Sequence, residues 1–320
     1  MNITNKCPFG CSSCYKGEYT RIEDAEFFTS LAKAANIQSQ ALVKYINQNS
    51  DIASVIISGG EPLLLDNIGI NKILENFRKI KNSNSKNTNH KITNQENIKQ
   101  LVELRICTGA LFQGWPFRID DELLRLLKDY ENDTGTIVHF NVHLSHPAQF
   151  TPESIKAIKR IRKYGFCINS QVPLQRDVNI FLEDKTKTLN TLYKLAELQA
   201  RHGIRPYKYI LHMHSGSLEY SVPLEFMLNI IGELKYRTDH PLPETWQPVS
   251  FSILCKEGNI LLTPQMRLGL GKSINQDKGY VEYKIPVPYV SKDISMSSQH
   301  DQKYFKYVAY REPLVVGIND

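Results

Sequence analysis

Apolar positions along this chain switch repeatedly between two periods. "AEFFTSLAKAANIQSQALVKYINQN" (25–49) spaces them as a helix does, and "IASVIIS" (52–58) is a short β-branched run of the kind that fills a buried strand. "GINKILENFRKI" returns to the helical period, "LVELRIC" (101–107) reads as a strand, and "DDELLRLLKDYE" as the next helix. "TIVHFNVHL" is a strand, and "TPESIKAIKRIRKYG" a helix opened by Thr-Pro-Glu and stopped at Gly165. "FCINSQVP", "LEDKTKTLNTLYKLAELQARHG", "RPYKYILHM" and "PLEFMLNIIGELKYRT" continue the alternation.

Roughly six such strand–helix units predict a parallel sheet with helices on its outer face. The count favours an α/β partial (βα)6 barrel over a closed eight-unit barrel or a doubly wound sheet. In each of these, chemistry belongs at the C-terminal ends of the strands. The barrel is expected over 1–248, with the Asn/Ser/Lys-rich stretch 81–95 as an exposed polar loop. After residue 248 the pattern changes: "VSFSILCKEGNILLTP" places a Gly-Asn turn between two apolar runs. Residues 249–320 are expected to be a C-terminal extension packed on the barrel, strand at first and then irregular, because the last fifty or so residues are rich in Tyr, Pro and Ser.

Composition changes this picture little. At 41% hydrophobic and 22% charged, the 320 residues are those of an ordinary globular chain. No apolar run reaches the ~20 residues of a membrane span. The sequence arrives at Cys7 before any signal-like apolar run, so a cytoplasmic protein is expected. The net charge of +6 comes without Arg/aromatic alternation, which reads as a solvated surface and argues against a nucleic-acid partner.

The cysteines change it more. Half of the six stand within "NKCPFGCSSCYKG", as Cys7, Cys11 and Cys14, while Cys107, Cys167 and Cys255 are scattered in apolar context and read as buried packing. A disulfide framework would spread its cysteines through a short chain. A structural zinc site closes with four protein ligands, and an iron–sulfur cluster also usually takes four cysteines. Spacing alone leaves iron–sulfur and zinc both open.

A second motif, "SGGEPLL" (58–64), stands at the end of the first strand after the cysteines. Its glycines allow close backbone approach to a ligand, and Glu61 can accept hydrogen bonds from an amine. Cys-x3-Cys-x2-Cys-aromatic followed by Gly-Gly-Glu-Pro resembles the radical S-adenosylmethionine (SAM) superfamily. The resemblance implies a [4Fe–4S] cluster on Cys7, Cys11 and Cys14, with SAM on the open iron and reductive cleavage of SAM to a 5′-deoxyadenosyl radical that abstracts hydrogen from substrate. It places Tyr15 near adenine, and Ser58, Gly59, Gly60, Glu61 and Pro62 at the methionine end of SAM. It also implies an electron donor such as flavodoxin or ferredoxin.

The middle of the chain narrows the resemblance. "VHLSHPAQFTPESIKAIKRIRKYGFCINSQVPLQRDVN" (142–179) and "GIRPYKYILHM" (203–213) look like the lysine 2,3-aminomutase family, and imply SAM-side roles for His143 and Gln171. The departures are as informative. The family's pyridoxal phosphate (PLP) lysine ends a glycine run, which "LCKEGNILLTP" lacks; Gly109 stands where an Arg is expected to hold the PLP phosphate. "LHMHSGS" replaces the acidic residue that grips the substrate's distal amine. PLP needs a Schiff-base lysine and an anion site, so losing both argues against PLP.

The expected function is therefore a radical SAM enzyme acting on a small, amino-acid-like molecule. His212 and His214, at a strand end, are candidate carboxylate-orienting or acid/base groups, and Cys255 a candidate hydrogen-atom donor. The three could alternatively form a second metal site or simple packing. Two other readings stay open: a PLP-dependent aminomutase working through Lys256, and a non-catalytic cluster- or SAM-binding module.

Overall fold

The computed structural model describes residues 1, 4, 6–9, 11, 14, 27–81, 101–211, 218–236, 251–255, 258–263, 266, 270–288 and 305–314. The polar loop expected at 81–95 lies outside them beyond Lys81. Strands β1 (Ser54–Ile57), β2 (Glu103–Thr108), β3 (Ile137–His143), β4 (Cys167–Leu174), β5 (Ile204–Leu211) and β6 (Phe251–Cys255) pair in chain order, each parallel to the one before. β7 (Gly258–Leu262) adds an antiparallel edge. The sheet curls into an open half-barrel, the architecture that the alternating periods predict. Cys255 pairs with Gly258 across the β6–β7 ladder. Gly258 and Asn259, expected as the turn, are instead the first ladder residues of β7.

Helices α1 (Phe27–Ile46), α2 (Asn67–Phe77), α3 (Asp121–Thr134), α4 (Pro152–Lys163), α5 (Lys185–His202) and α6 (Leu224–Tyr236) connect the strands or precede them. Four of them start where a side chain satisfies an orphan backbone donor. Asp66, Asp120, Thr151 and Asp184 each accept from the N–H three residues on, at 2.7, 2.8, 3.2 and 2.8 Å. Gly135 and Gly203 end α3 and α5 in the left-handed conformation, and Gly165 follows α4 in the same way.

The two faces of the sheet differ in kind. Leu104, Ile106, Val138, Phe140, Val142, Ile168, Val172 and Leu174 are buried in one cluster with Leu123, Leu127, Ile158, Ile161, Leu192 and Leu195 of the helices. The alternate residues, Glu103, Arg105, Cys107, His139, Asn141, His143, Cys167, Asn169 and Gln171, face the concave side. Register aligns Cys107 with Asn141 and Asn169, and His143 with Gln171. Cys107 is thus half-buried and Cys167 exposed, rather than packed in the core as their apolar neighbours suggested. Those neighbours point the other way, into the helices.

A bulge adjusts this concave face. The β4–β5 register shifts between Ser170 and Gln171, so that Lys208, not Tyr207, stands opposite Gln171. Tyr209 turns outward, where its hydroxyl donates to Gln199 of α5 at 3.2 Å and Gln199 donates to Ser170 at 2.7 Å.

Residues 271–313 contain more order than the composition promised. β8 (Gly271–Asn275), β9 (Tyr280–Pro288) and β10 (Phe305–Pro313) form an antiparallel sheet in the order β10-β9-β8. Val281, Tyr283 and Ile285 are buried at strand period, a pattern that Pro286 and Pro288 obscure in the sequence. The buried carboxyl of Glu312 ties this sheet to α6. It accepts from the Leu224 N–H at the helix start and from the Tyr283 hydroxyl, both at 2.8 Å. Nearby, Lys272 pairs with Glu225 at 2.8 Å.

Burial raises the Glu312 pKa from 4.5 to about 7, against the lowering effect of its two hydrogen bonds. Because the folded value is the higher one, this group's stabilising contribution is complete below pH ~4.5 and is lost as pH rises through ~7. Denaturant unfolding should show stability falling between pH 5 and 8 by up to about 3 kcal/mol. Glu312→Gln should flatten that profile.

Candidate functional site

The segment that carries the cysteines runs beside the end of β1. The Ser58 N–H donates to the Met1 carbonyl at 2.9 Å, Gly60 to Thr4 at 2.7 Å, and Glu61 to Lys6 at 2.9 Å. Both segments ascend together, so the ladder extends the parallel sheet past β1. A Cβ on Gly59 would lie 2.2 Å from the Thr4 oxygen, and one on Gly60 2.1 Å from the Lys6 oxygen. Gly59 also has φ +151. The close approach that the sequence suggested for a ligand is therefore made, at these two residues, by the chain's own backbone.

Glu61 locks the same junction. Its carboxylate is 1% exposed and accepts from the Leu63 N–H at 2.9 Å, the Thr108 hydroxyl at 2.6 Å and the Gly109 N–H at 2.8 Å. Burial pushes its pKa up, and these bonds oppose the shift. Pro62 opens a buried 3-10 turn, Pro62–Leu64, whose carbonyl at Leu63 accepts from Arg118 at 3.0 Å. The ends of β1 and β2 are thereby fixed to one another directly beneath the cysteine segment.

Cys7, Cys11 and Cys14 are free and half-buried, and the Cys14 N–H closes a turn onto the Cys11 carbonyl at 3.0 Å. Burial raises the Cys7 thiol to about 11, with further increments from the charges of Glu61, Cys11 and Cys14. Burial and then the charge of Cys14 raise Cys11. Cys7 and Cys11 thus resist ionisation until a cation is supplied, which is the environment of a metal-binding loop. Among the described residues no three His, Cys, Asp or Glu side chains converge on one metal ion. A tetrahedral zinc needs such convergence. In an iron–sulfur cluster each iron takes its own thiolate, so the sulfurs stand apart. Three thiol donors on one loop fit an iron–sulfur cluster.

A residue that the sequence reading passed over anchors this loop. The Phe9 ring lies where a Cβ on Gly109 would meet it at 3.2 Å, and meets Trp115 edge-on at 5.6 Å between centroids. The signal was present as an aromatic between two of the cysteines, but its partner lies a hundred residues away.

On the wall of the half-barrel, His143 Nε2 and Gln171 Oε1 lie 3.3 Å apart. The His143 ring faces the open concave side yet is surrounded by protein, which holds its pKa below the usual histidine value. Lys208 is half-buried beside Gln171, has its pKa lowered by burial, and makes no ion pair among the described residues. One layer deeper, Asn169 donates to Asn141 at 3.3 Å. Deeper again, Glu103 pairs with Arg105 at 3.0 Å and His139 at 3.4 Å. His146 sits off this wall, its Nδ1 capping the turn Pro147–Gln149.

Of the residues singled out in the sequence, the structure brings Cys7, Cys11, Cys14, Ser58, Gly59, Gly60, Glu61, Pro62, His143 and Gln171 to one end of the sheet, at the C-terminal ends of the parallel strands. Tyr15, His212, His214 and Lys256 lie outside the described residues. Cys255 closes β6 by its backbone, and its side chain is not among those described.

A half-barrel with a thiol loop clamped over its strand ends agrees with the comparisons to known proteins. Residues 2–109 match the family of 4Fe-4S single cluster domains. A protein of Aquifex aeolicus provisionally named L-lysine 2,3-aminomutase is 27% identical over 72% of this chain and 53% of its own length. The glutamate 2,3-aminomutase of Clostridioides difficile is 25% identical over 56% of this chain and 35% of its own. The L-lysine 2,3-aminomutase of Acetoanaerobium sticklandii is 24% identical over 74% and 48%. The cluster-domain match and the aminomutase relatives together support a radical SAM, lysine 2,3-aminomutase-like family for this chain. It spans about half the length, or less, of these curated relatives. No helix among the described residues is long and apolar enough to cross a membrane.

Gly60→Ala tests the clamp. The added Cβ must displace the Lys6 carbonyl, which should cost about 1–3 kcal/mol of stability. Iron and sulfide retained after anaerobic reconstitution should fall to less than half of the parent's.

Proposed function

We propose that this chain is a radical SAM enzyme that acts on a small, amino-acid-like substrate carrying a carboxylate. The observation that carries the reading is the thiol loop clamped by Gly59 and Gly60 above an open, polar concave wall. Cys7, Cys11 and Cys14 would hold a [4Fe–4S] cluster as thiolates. When bound, the reduced cluster and SAM supply a 5′-deoxyadenosyl radical that removes a hydrogen atom from substrate.

The chain's own groups do the rest. Glu61 fixes the backbone around Gly60 and Gly109 so that the loop keeps its place. His143 stays neutral near pH 7 and can donate from one ring nitrogen while accepting at the other. Gln171 offers an amide to a polar cofactor group at the same height on the wall. Lys208 offers an ammonium that lacks an acidic partner among the described residues. A carboxylate would satisfy it, and a second amine would be repelled. The names of the relatives, which act on lysine or glutamate, support an amino acid as the substrate class.

The PLP-dependent reading rests on Lys256. A pyridoxal absorption band that disappears in Lys256→Ala would favour it. The radical SAM reading is tested by anaerobic reconstitution with iron and sulfide, then SAM and dithionite. 5′-Deoxyadenosine should form, and Cys11→Ala should lower it at least a hundredfold. Protein that carries the cluster, is offered candidate acidic amino acids and still makes no 5′-deoxyadenosine would be a binding module instead. With an acidic amino acid that stimulates turnover, Lys208→Met should raise KM by about tenfold, the loss of one charge-assisted hydrogen bond.

A further inference from the structure

The loop that would hold the cluster is connected to the outer surface by aromatic rings. Phe9, between Cys7 and Cys11, meets Trp115 at 5.6 Å, and Trp115 meets Phe117 at 6.0 Å between centroids. Phe117 is 65% exposed, an unusual position for a phenylalanine on a 3-10 turn whose own residues bury nothing. Beside it opens a cavity of about 450 Å³ walled by Leu111, Phe112, Pro116 and Phe117, with Lys156 and Arg160 on its rim.

The flank of this patch is strongly basic. Over its twelve residues α4 carries Lys156, Lys159, Arg160, Arg162 and Lys163 against the single acid Glu153. Arg160 is occupied, donating to the Ile119 carbonyl at 2.6 Å with Asp121 at 3.8 Å. Lys156, Lys159 and Lys163 make no ion pair among the described residues. At the end of α5, His202 is held neutral by burial and then by the charges of Lys159, Arg162 and Arg201, so the positive field continues across the neighbouring helix. Of the acids along this edge, Asp120 caps α3 and Asp121 faces Arg160.

An apolar tip with Lys156 beside it and Lys159 and Lys163 further along the same helix, none of them ion-paired among the described residues, is joined through packed rings to the cysteine loop and fits one kind of partner. We propose that Phe117 and the exposed face of α4 dock a small acidic one-electron carrier protein of the flavodoxin or ferredoxin type, and that Trp115 and Phe9 bridge the docked carrier to the cluster site. The proposal rests on the radical SAM reading above. In the step it serves, the carrier gives up one electron and the cluster gains it, and no bond forms or breaks. The field of the lysines steers an acidic partner to the patch, and the exposed ring supplies the desolvated contact that holds it there.

The test uses the reconstituted full chain and a purified bacterial flavodoxin as the probe. The variant Phe117→Ser/Lys156→Glu/Lys159→Glu touches neither the cysteines nor the concave wall. Calorimetry at low salt should show flavodoxin bound at least tenfold more weakly to the variant, and binding to the parent should weaken as salt rises. Anaerobic stopped-flow should show cluster bleaching by reduced flavodoxin slowed at least tenfold in the variant, with bleaching by dithionite unchanged. Equal bleaching by flavodoxin in both proteins, with cluster content and dithionite bleaching intact, overturns the docking site while leaving the radical SAM reading standing. A variant that loses only self-association, seen by sedimentation, also overturns it by making the patch a contact between copies. Failure of the parent to take up any cluster overturns both.

Discussion

The backbone-to-backbone approach at Gly59 and Gly60 is the constraint on which the rest of the site depends. There the cysteine segment comes near enough to extend the parallel ladder, with oxygens of Thr4 and Lys6 where side chains would otherwise start. Any Cβ at either position pushes the segment off the sheet edge. Once the segment is down, Glu61 is buried beneath it and must find partners, which it does in Thr108 and Gly109 at the end of β2. The packing of Phe9 against Gly109 then follows, since the same junction brings the loop over the start of the β2–α3 connection. Two glycines, one buried carboxylate and one ring thus convert a flexible thiol-rich loop into a fixed ledge.

The half-barrel gives that ledge something to face. A closed barrel fills its interior with branched side chains, whereas this sheet stays open and lines its concave side with Arg105, His139, Asn141, His143, Asn169, Gln171 and Lys208. The deeper charges neutralise one another around Glu103, while among the described residues the upper row has a cation, Lys208, that pairs with no acid. That asymmetry, polar and balanced below, cationic near the mouth, is what favours an anionic substrate group in the proposed function. It also accounts for Cys107 and Cys167, which sit on this wall rather than in the core.

The helical face serves a different purpose. Its burial supplies most of the apolar contact that holds the sheet, and the same helices present the outer charge, with α4 showing lysines outward while Ala157, Ile158 and Ile161 face in. The C-terminal sheet joins the core through Val281, Tyr283 and Ile285 and is tied to the start of α6 by one buried carboxyl, where the helix dipole and the Leu224 N–H meet Glu312. The proposed docking face and the proposed substrate wall therefore lie on opposite sides of one sheet, with the cysteine loop between them.

Much of this was legible in the sequence. Alternation of 2 and 3.6 periods determined the strand–helix order and the open barrel, because burial against one helical layer leaves a period-2 record in every strand. Thr151 and Gly165 marked the ends of α4, since caps act within three or four residues, whereas the caps Asp66, Asp120 and Asp184 and the stops Gly135 and Gly203 were found only in the structure. The cysteine rhythm and Gly-Gly-Glu-Pro carried the family resemblance, as both are local. The rest required the fold. The prolines of β9 hid a strand whose pairing is non-local, and Gly258 and Asn259, read as a turn, are ladder residues of β7 paired with Cys255 and Leu254. Phe9 and Trp115 meet only through tertiary packing, and the reason for Gly59 and Gly60 appears only once Thr4 and Lys6 lie across them. The bulge between Ser170 and Gln171 decides that Lys208 faces the wall, because a shift of one residue exchanges the two faces of a strand and nothing in the local sequence announces it.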